Sequence, residues 1–158
     1  LKALKAHGLK LGIGTGRPKA EIDFPLSANG LYEFFDKALF ASFDEVCAAE
    51  AALHPKLPLA KPDPFVFLKA ALGGEYTDRE IYEKNFDKSK LSRTLIVGDA
   101  PSDLLSAKAA GFDFLGVLTG VEGDGMLGYF TDNGADFILN SVFDMIDLEN
   151  DSQEVNSK

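Results

Sequence analysis

Two carboxylates four residues apart, Asp99 and Asp103, follow an apolar run, Leu95-Ile96-Val97, and a glycine, Gly98. Gly98 lets the backbone turn sharply ahead of Asp99, and Asp103 falls about one helical turn later, so both carboxylates can face one point. Hard oxygen donors at that spacing suit Mg²⁺. An aspartate at a helix start also caps it by accepting free backbone N–H groups, so either carboxylate alone is equally consistent with a structural role. A second loop, Gly14-Thr15-Gly16-Arg17-Pro18, surrounds a hydroxyl with glycine N–H groups between a strand and a helix, which is a way to cradle a phosphate. The same glycine pair can serve tight geometry only, and the three-glycine dinucleotide fingerprint fails because Arg17 or Lys19 stands where the third glycine should be. The third feature is Lys61 in Lys61-Pro62-Asp63-Pro64-Phe65, where two prolines stiffen the approach to a helix and hold an ammonium at its entrance. An ordinary surface lysine is the alternative.

These side chains need strands and helices to bring them together. The Thr94-Leu95-Ile96-Val97 run predicts a strand buried on both faces, and Pro101 predicts the first turn of the next helix. Residues 1–6 read as a helix closed by Gly8, residues 9–14 as a strand, and residues from Pro18 to about 26 as a helix. Asn29-Gly30 is a turn, residues 31–35 a short helix, 37–42 a strand and 45–53 a helix. In the next helix Phe65, Leu68 and Leu72 share one face, and Gly73-Gly74 ends it. Thr77-Asp78-Arg79-Glu80 is a capping-box pattern that starts a helix reaching about Phe86. A helix closed by Gly111, a strand at 113–118, a glycine-rich loop at 120–128, a helix at 126–133, a strand at 136–139 and a helix at 142–148 complete the alternation. Strands alternating with helices predict an α/β fold, a Rossmann-like parallel sheet with helices on both faces. Three loops, carrying Thr15, Lys61 and the Asp99/Asp103 pair, then converge on one sheet edge, where open α/β sheets put their chemistry.

A chain of 158 residues, 46% hydrophobic, makes one ordinary domain, expected over residues 1–148 with a polar, disordered tail at 149–158. No run approaches the length of a membrane span. A net charge of −9 without clustered lysine or arginine argues against nucleic acid and anionic membrane as partners. A single cysteine, Cys47, excludes an internal disulfide, and with only His7 and His54 beside it disfavours zinc; a buried or neutral thiol in a reducing, cytoplasmic setting is expected. The sequence opens in what reads as the middle of a helix, without an initiator Met, so it is expected to start inside a longer protein.

With Leu11-Gly-Ile-Gly-Thr15-Gly-Arg17, then Lys61-Pro-Asp-Pro-Phe65, then Gly98-Asp99 through Asp103, in that order, the chain resembles the haloacid-dehalogenase superfamily of hydrolases. Ala107-Lys-Ala-Ala-Gly111 and Gly134-Ala-Asp-Phe-Ile-Leu-Asn140-Ser look like its phosphoglycolate-phosphatase-like branch, and the resemblance covers nearly all of residues 1–148. It implies a phosphate monoester hydrolase that uses Mg²⁺ and an aspartyl-phosphate to act on a small phosphorylated metabolite. Thr15, with Gly16, would bind a phosphoryl oxygen, and Lys61 would neutralise charge on phosphate and nucleophile. Asp99, and Asp103 directly or through water, would hold the metal; Arg17 would support the loop. The family's first motif, an Asp-x-Asp that supplies the nucleophile, has no match before Thr15. The resemblance places that first strand between those ending at Thr15 and Asp99, and a helical cap between the first two motifs. A missing N-terminal segment of the same protein is therefore the expected partner, and the strands at 9–14 and 94–97 are expected not to pair with each other. A catalytically inactive phosphate-binding module is the alternative, and a dinucleotide-binding domain lacks its glycines.

Overall fold

Helix α4, Phe65–Leu72, is the centre of the core, with Phe65, Val66, Phe67, Leu68, Ala70 and Leu72 all buried. One apolar face was the expectation. Instead the helix is covered nearly all round, because strands, α3 (Phe43–Leu53), α5 (Asp78–Tyr82) and α6 (Pro101–Ala110) pack on it from several sides. The computed structural model describes residues 1–120, 123 and 125–146. The remaining elements in chain order are α1 (Lys2–Ala6), β1 (Ile13–Gly14), α2 (Lys19–Ala28), β2 (Phe40–Ala41), β3 (Leu95–Gly98), β4 (Asp113–Val117), α7 (Gly125–Asp132) and β5 (Phe137–Leu139). Among the described residues no helix is long and apolar enough to cross a membrane.

The fold is α/β with parallel strands flanked by helices. Strand β1 pairs with β2, Ile13 opposite Phe40, and β3, β4 and β5 pair in sequence order, Leu95 opposite Asp113 and Leu115 opposite Phe137. Strands β1 and β3 belong to separate sheets and share no hydrogen bond, as the family alignment requires.

Several boundaries differ from the sequence reading. The β3 strand is not buried on both faces: Leu95 and Val97 are 39% and 38% exposed, because their side of the strand faces away from the core that holds Ile96 and Phe114. The strand expected over residues 9–14 is two residues long. Ahead of it, Leu11 is tied to Asp36, whose carboxylate accepts from the Leu11 amide while its own amide donates to the Leu11 carbonyl, in place of a ladder. Residues 37–39 form a 3₁₀ turn before β2. The Thr77 capping box forms, but its helix stops at Tyr82, where Lys84 takes a left-handed backbone. Cys47 is exposed rather than buried, because α3 turns Val46 and Ala49 inward and Cys47 lies off that face. The expected helix at 142–148 opens as a 3₁₀ turn at Val142–Asp144, and Met145 and Ile146 follow in α-helical conformation. Residues 147–148, the tail at 149–158 and positions 121, 122 and 124 of the glycine-rich loop lie outside the described residues.

Candidate active site

The β1 strand ends directly in the Thr15 loop, and four hydrogen bonds fix that loop. The Thr15 amide donates to Ala41 O at 3.0 Å, continuing the β1–β2 ladder, and the Arg17 amide donates to Thr15 Oγ1 at 3.1 Å. Having accepted there, the hydroxyl keeps its own proton to donate. The Arg17 carbonyl accepts from the Phe43 amide, and the Lys19 amide donates to Asp44 Oδ2 at 2.8 Å, so the loop is pinned to the first turn of α3. Arg17 supports the loop through its backbone; its exposed guanidinium turns to Glu21.

Helix α3 is itself held by a capping box in which Ser42 Oγ accepts from the Asp44 amide and Glu45 accepts from the Ser42 amide and hydroxyl. Burial pushes the Glu45 carboxyl up, but these hydrogen bonds outweigh it and hold the group below its ordinary range.

Lys61 stands at the entrance to α4, whose first turn Asp63 caps by accepting from the Phe65 amide at 2.9 Å. The Lys61 ammonium donates to Gly14 O at 3.1 Å and to Asp103 Oδ1 at 2.7 Å, and lies 4.3 Å from the centroid of the Phe67 ring. Lys61 therefore bridges the end of β1 and the helix that follows β3. Asp103 combines both roles open to it from sequence: it pairs with Lys61, and its Oδ2 also accepts from the Ala100 amide at 3.4 Å at the start of α6. A side chain at Gly98 would collide with it, since a Cβ there would stand 2.6 Å from Asp103 Cβ.

A cleft of about 370 Å³ is lined by Thr15, Gly16, Lys61, Ser102 and Asp103, with Phe43 and Val66 among its apolar walls. Four of the five site residues expected from sequence thus share one cleft. Asp99 does not line it: its exposed carboxylate rests against Gly120 after β4, where a Cβ would stand 2.5 Å from Asp99 Oδ2. Gly120, Phe67, Ser102 and Phe43 were not singled out from sequence as site residues. Nothing local in their spacing marks them, because strand pairing and the packing of α4 bring them in.

The donor set agrees in chemistry with Mg²⁺, which is commonly held by one or two carboxylates together with water and phosphate oxygens. Asp99 offers an open carboxylate, whereas both oxygens of Asp103 are engaged. Among the described residues no cluster of three or more His, Cys, Asp or Glu gathers at one point.

Comparison with known proteins gives the family and supports the fold. A HAD-hydrolase-like family model matches residues 58–145, more than half of the chain. The chain is 29% identical over 121 residues to "Probable phosphatase IndB" of Dickeya dadantii (strain 3937), covering 77% of this chain and 41% of that protein. An X-ray structure of a Northeast Structural Genomics Consortium target is 30% identical with a TM-score of 0.80, over 97% of this chain and 40% of the other. A haloacid dehalogenase-like protein of unknown function from Agrobacterium tumefaciens str. C58 has a TM-score of 0.63 at 19% identity, over 96% and 59% of the two chains, and supports the fold alone. The chain spans about two fifths of the length of the first two relatives. With more than half of its residues matched by the family model, the chain belongs to the HAD-hydrolase-like family.

Proposed function

We propose that the intact protein is a phosphatase, a Mg²⁺-dependent hydrolase of phosphate monoesters of small metabolites. The observation that carries this is the Lys61 ammonium, held by Gly14 O and Asp103 in the cleft that Thr15 also lines. A phosphoryl group brings nearly two negative charges, and an anionic nucleophile approaches it only where cations and donors offset the repulsion. Thr15 donates its hydroxyl proton to a phosphoryl oxygen, the open backbone at Gly16 lets the phosphate approach, and Lys61 supplies a fixed positive charge. Asp99 would hold Mg²⁺, with Asp103 reaching it directly or through water, and the bound metal would supply positive charge to offset that of the phosphoryl oxygens.

The nucleophile in this reading is an aspartate on a further strand of the longer protein, seated between β1 and β3, which do not pair with each other. Its carboxylate oxygen forms a bond to phosphorus as the bond to the ester oxygen breaks, the leaving oxygen takes a proton from the second carboxyl of the same Asp-x-Asp motif, and water then attacks the aspartyl-phosphate to release inorganic phosphate and restore the carboxylate. The absence of nucleic-acid or anionic-membrane partners is part of the proposal on the strength of the net charge of −9, and a cytoplasmic setting on that of the single cysteine.

Hydrolysis of p-nitrophenyl phosphate tests the reading. The longer polypeptide that contains these residues is expected to turn the ester over with Mg²⁺ and to stop in excess chelator. Residues 1–158 alone are expected to give no turnover, since Thr15 and Lys61 stabilise charge but cannot replace an aspartate nucleophile. Absence of turnover by the longer protein with Mg²⁺ would overturn the proposal, and turnover that persists in Lys61→Met would remove Lys61 from it.

A further inference from the structure

Gly14 and Lys61 meet on one side chain that none of the motifs includes. Phe67, the third residue of α4, is only 5% exposed, and the Lys61 ammonium stands 4.3 Å from its ring centroid. The backbone of Gly14 rests against the same ring: a Cβ at Gly14 would stand 2.6 Å from Phe67 Cδ1 and 3.1 Å from Cε1. One ring therefore fixes both the carbonyl of Gly14 and the ammonium that donates to it at 3.1 Å.

The chemistry of an ammonium gives this arrangement a consequence. A lysine head is a compact, strongly hydrated charge on a flexible stem, and water competes for each of its three donors. In this cleft two donors go to Gly14 O and Asp103 Oδ1, and the negative face of the Phe67 ring covers a further side. One donor is left for an oxygen entering the cleft. An aliphatic side chain at 67 would fill the volume without attracting the charge.

We infer that Phe67 is a positioning residue, whose ring holds the Lys61 ammonium in place through its π face as well as its bulk. The inference rests on the reading of Lys61 as the phosphate-facing cation, but its first test needs no turnover. Phenylalanine carrying one, two and then three fluorines, introduced at position 67, keeps the ring nearly the same size while draining its negative face. Hydrogen exchange of the Lys61 ammonium is followed in cold, mildly acidic solution by ¹⁵N–¹H spectra, with the peak assigned by its loss in Lys61→Arg.

Exchange is expected to be slow in the native protein and to accelerate stepwise with fluorine count, reaching about tenfold for the full series. A flat series, or a Lys61 peak already lost to fast exchange in the native protein, overturns the inference. Phe67→Met supplies a flexible apolar side chain without a ring, and backbone amide peaks of α4 report whether the helix survives each change. In the intact protein the trifluorinated form is expected to lower kcat about tenfold with KM within about twofold. Native kcat in that form, beside an inactive Lys61→Met, would sink the positioning role and leave the phosphatase reading standing. Stepwise exchange beside a fully active Lys61→Met would leave the hold of the ring on the ammonium standing and remove Lys61 from the reaction.

Discussion

The Lys61 ammonium lies 2.7 Å from Asp103 Oδ1, with only 15% and 11% of the two side chains exposed. This ion pair joins the loop before α4 to the helix after β3, across the interval where β1 and β3 do not pair. Removing one partner of a mostly buried pair leaves the other charge uncompensated, which costs about 3–5 kcal/mol for a fully buried pair. Lys61→Met is therefore expected to destabilise the protein strongly, by about 3 kcal/mol in urea unfolding. Adding Asp103→Asn to Lys61→Met is expected to recover part of that loss. A double variant less stable than Lys61→Met would mean that Asp103 matters chiefly through its bond to the Ala100 amide.

Asp99→Asn separates chemistry from stability. The side chain is exposed at the turn after β3, so an amide of the same shape is expected to leave the unfolding midpoint within about 0.5 kcal/mol of native. It removes the charge a hard cation needs. In the intact protein, Mg²⁺-dependent hydrolysis of p-nitrophenyl phosphate is expected to disappear, and Asp103→Asn to be milder in activity if its metal contact runs through water. Full activity of Asp99→Asn would rule out its role as a metal ligand.

How much of this was legible in the sequence follows from the range of each interaction. Pro101, Gly111 and the Thr77–Glu80 capping box act over a few residues, and all three appear where the sequence puts them. Thr15, Lys61 and Asp103 share one cleft because each follows a strand or opens a helix, and those local signals are strong, whereas Asp99 lies outside that cleft. The exposure of Leu95 and Val97 could not be read, since an apolar run shows which residues suit burial but not which neighbours supply it. The same limit hid Phe67 and Gly120, whose roles depend on contacts with residues far along the chain. Asp36 replaced an expected ladder at Leu11 because a carboxylate can satisfy an amide wherever a turn brings it near.

Among the carboxyls held below their ordinary values, Glu45 and Asp136 are expected to set the acid limit on stability. Hydrogen bonds from the Ser42 hydroxyl and amide, working against burial, hold Glu45 below its ordinary value of 4.5. The Phe114 amide, and more weakly Lys108, hold Asp136 below 3.8. A folded-state value below the unfolded one means stability that is complete above the unfolded value and lost as pH falls through it toward the folded value. The melting temperature is expected to be flat above about pH 5 and to fall below it, with a shallower fall in Glu45→Gln and Asp136→Asn than in the native protein. Equal slopes in all three would show that these two groups do not carry the acid sensitivity.

Ser106 is fully buried on α6, and its hydroxyl has no hydrogen-bond partner among the described residues. A buried hydroxyl without a partner costs about 1–3 kcal/mol, and its replacement by hydrogen leaves little space behind. Ser106→Ala is expected to stabilise the protein by about 1 kcal/mol, read as a rise in the urea midpoint at unchanged slope. A loss of stability would show that the hydroxyl is satisfied in solution.

Gly120 gives the most direct test of how the second carboxylate is placed. A Cβ there would stand 2.5 Å from Asp99 Oδ2, 2.7 Å from its Cβ and 2.9 Å from its Cγ, so the whole side chain, and not only its tip, would have to move. Rotation of Asp99 into solvent relieves the contacts with Cγ and Oδ2 but not that with Cβ, so the backbone must shift as well, and Gly120→Ala is expected to lower stability by about 1–3 kcal/mol. The rotation carries its carboxylate away from the position it shares with the loop after β4. In the intact protein, Gly120→Ala is therefore expected to weaken Mg²⁺ binding, measured by calorimetry without substrate, by about tenfold. Asp99→Asn is expected to weaken it further, and Gly120→Ala added to Asp99→Asn to have no additional effect, because both changes act through one carboxylate. Additive losses in the double variant would mean that Gly120 acts on the site by some route other than Asp99.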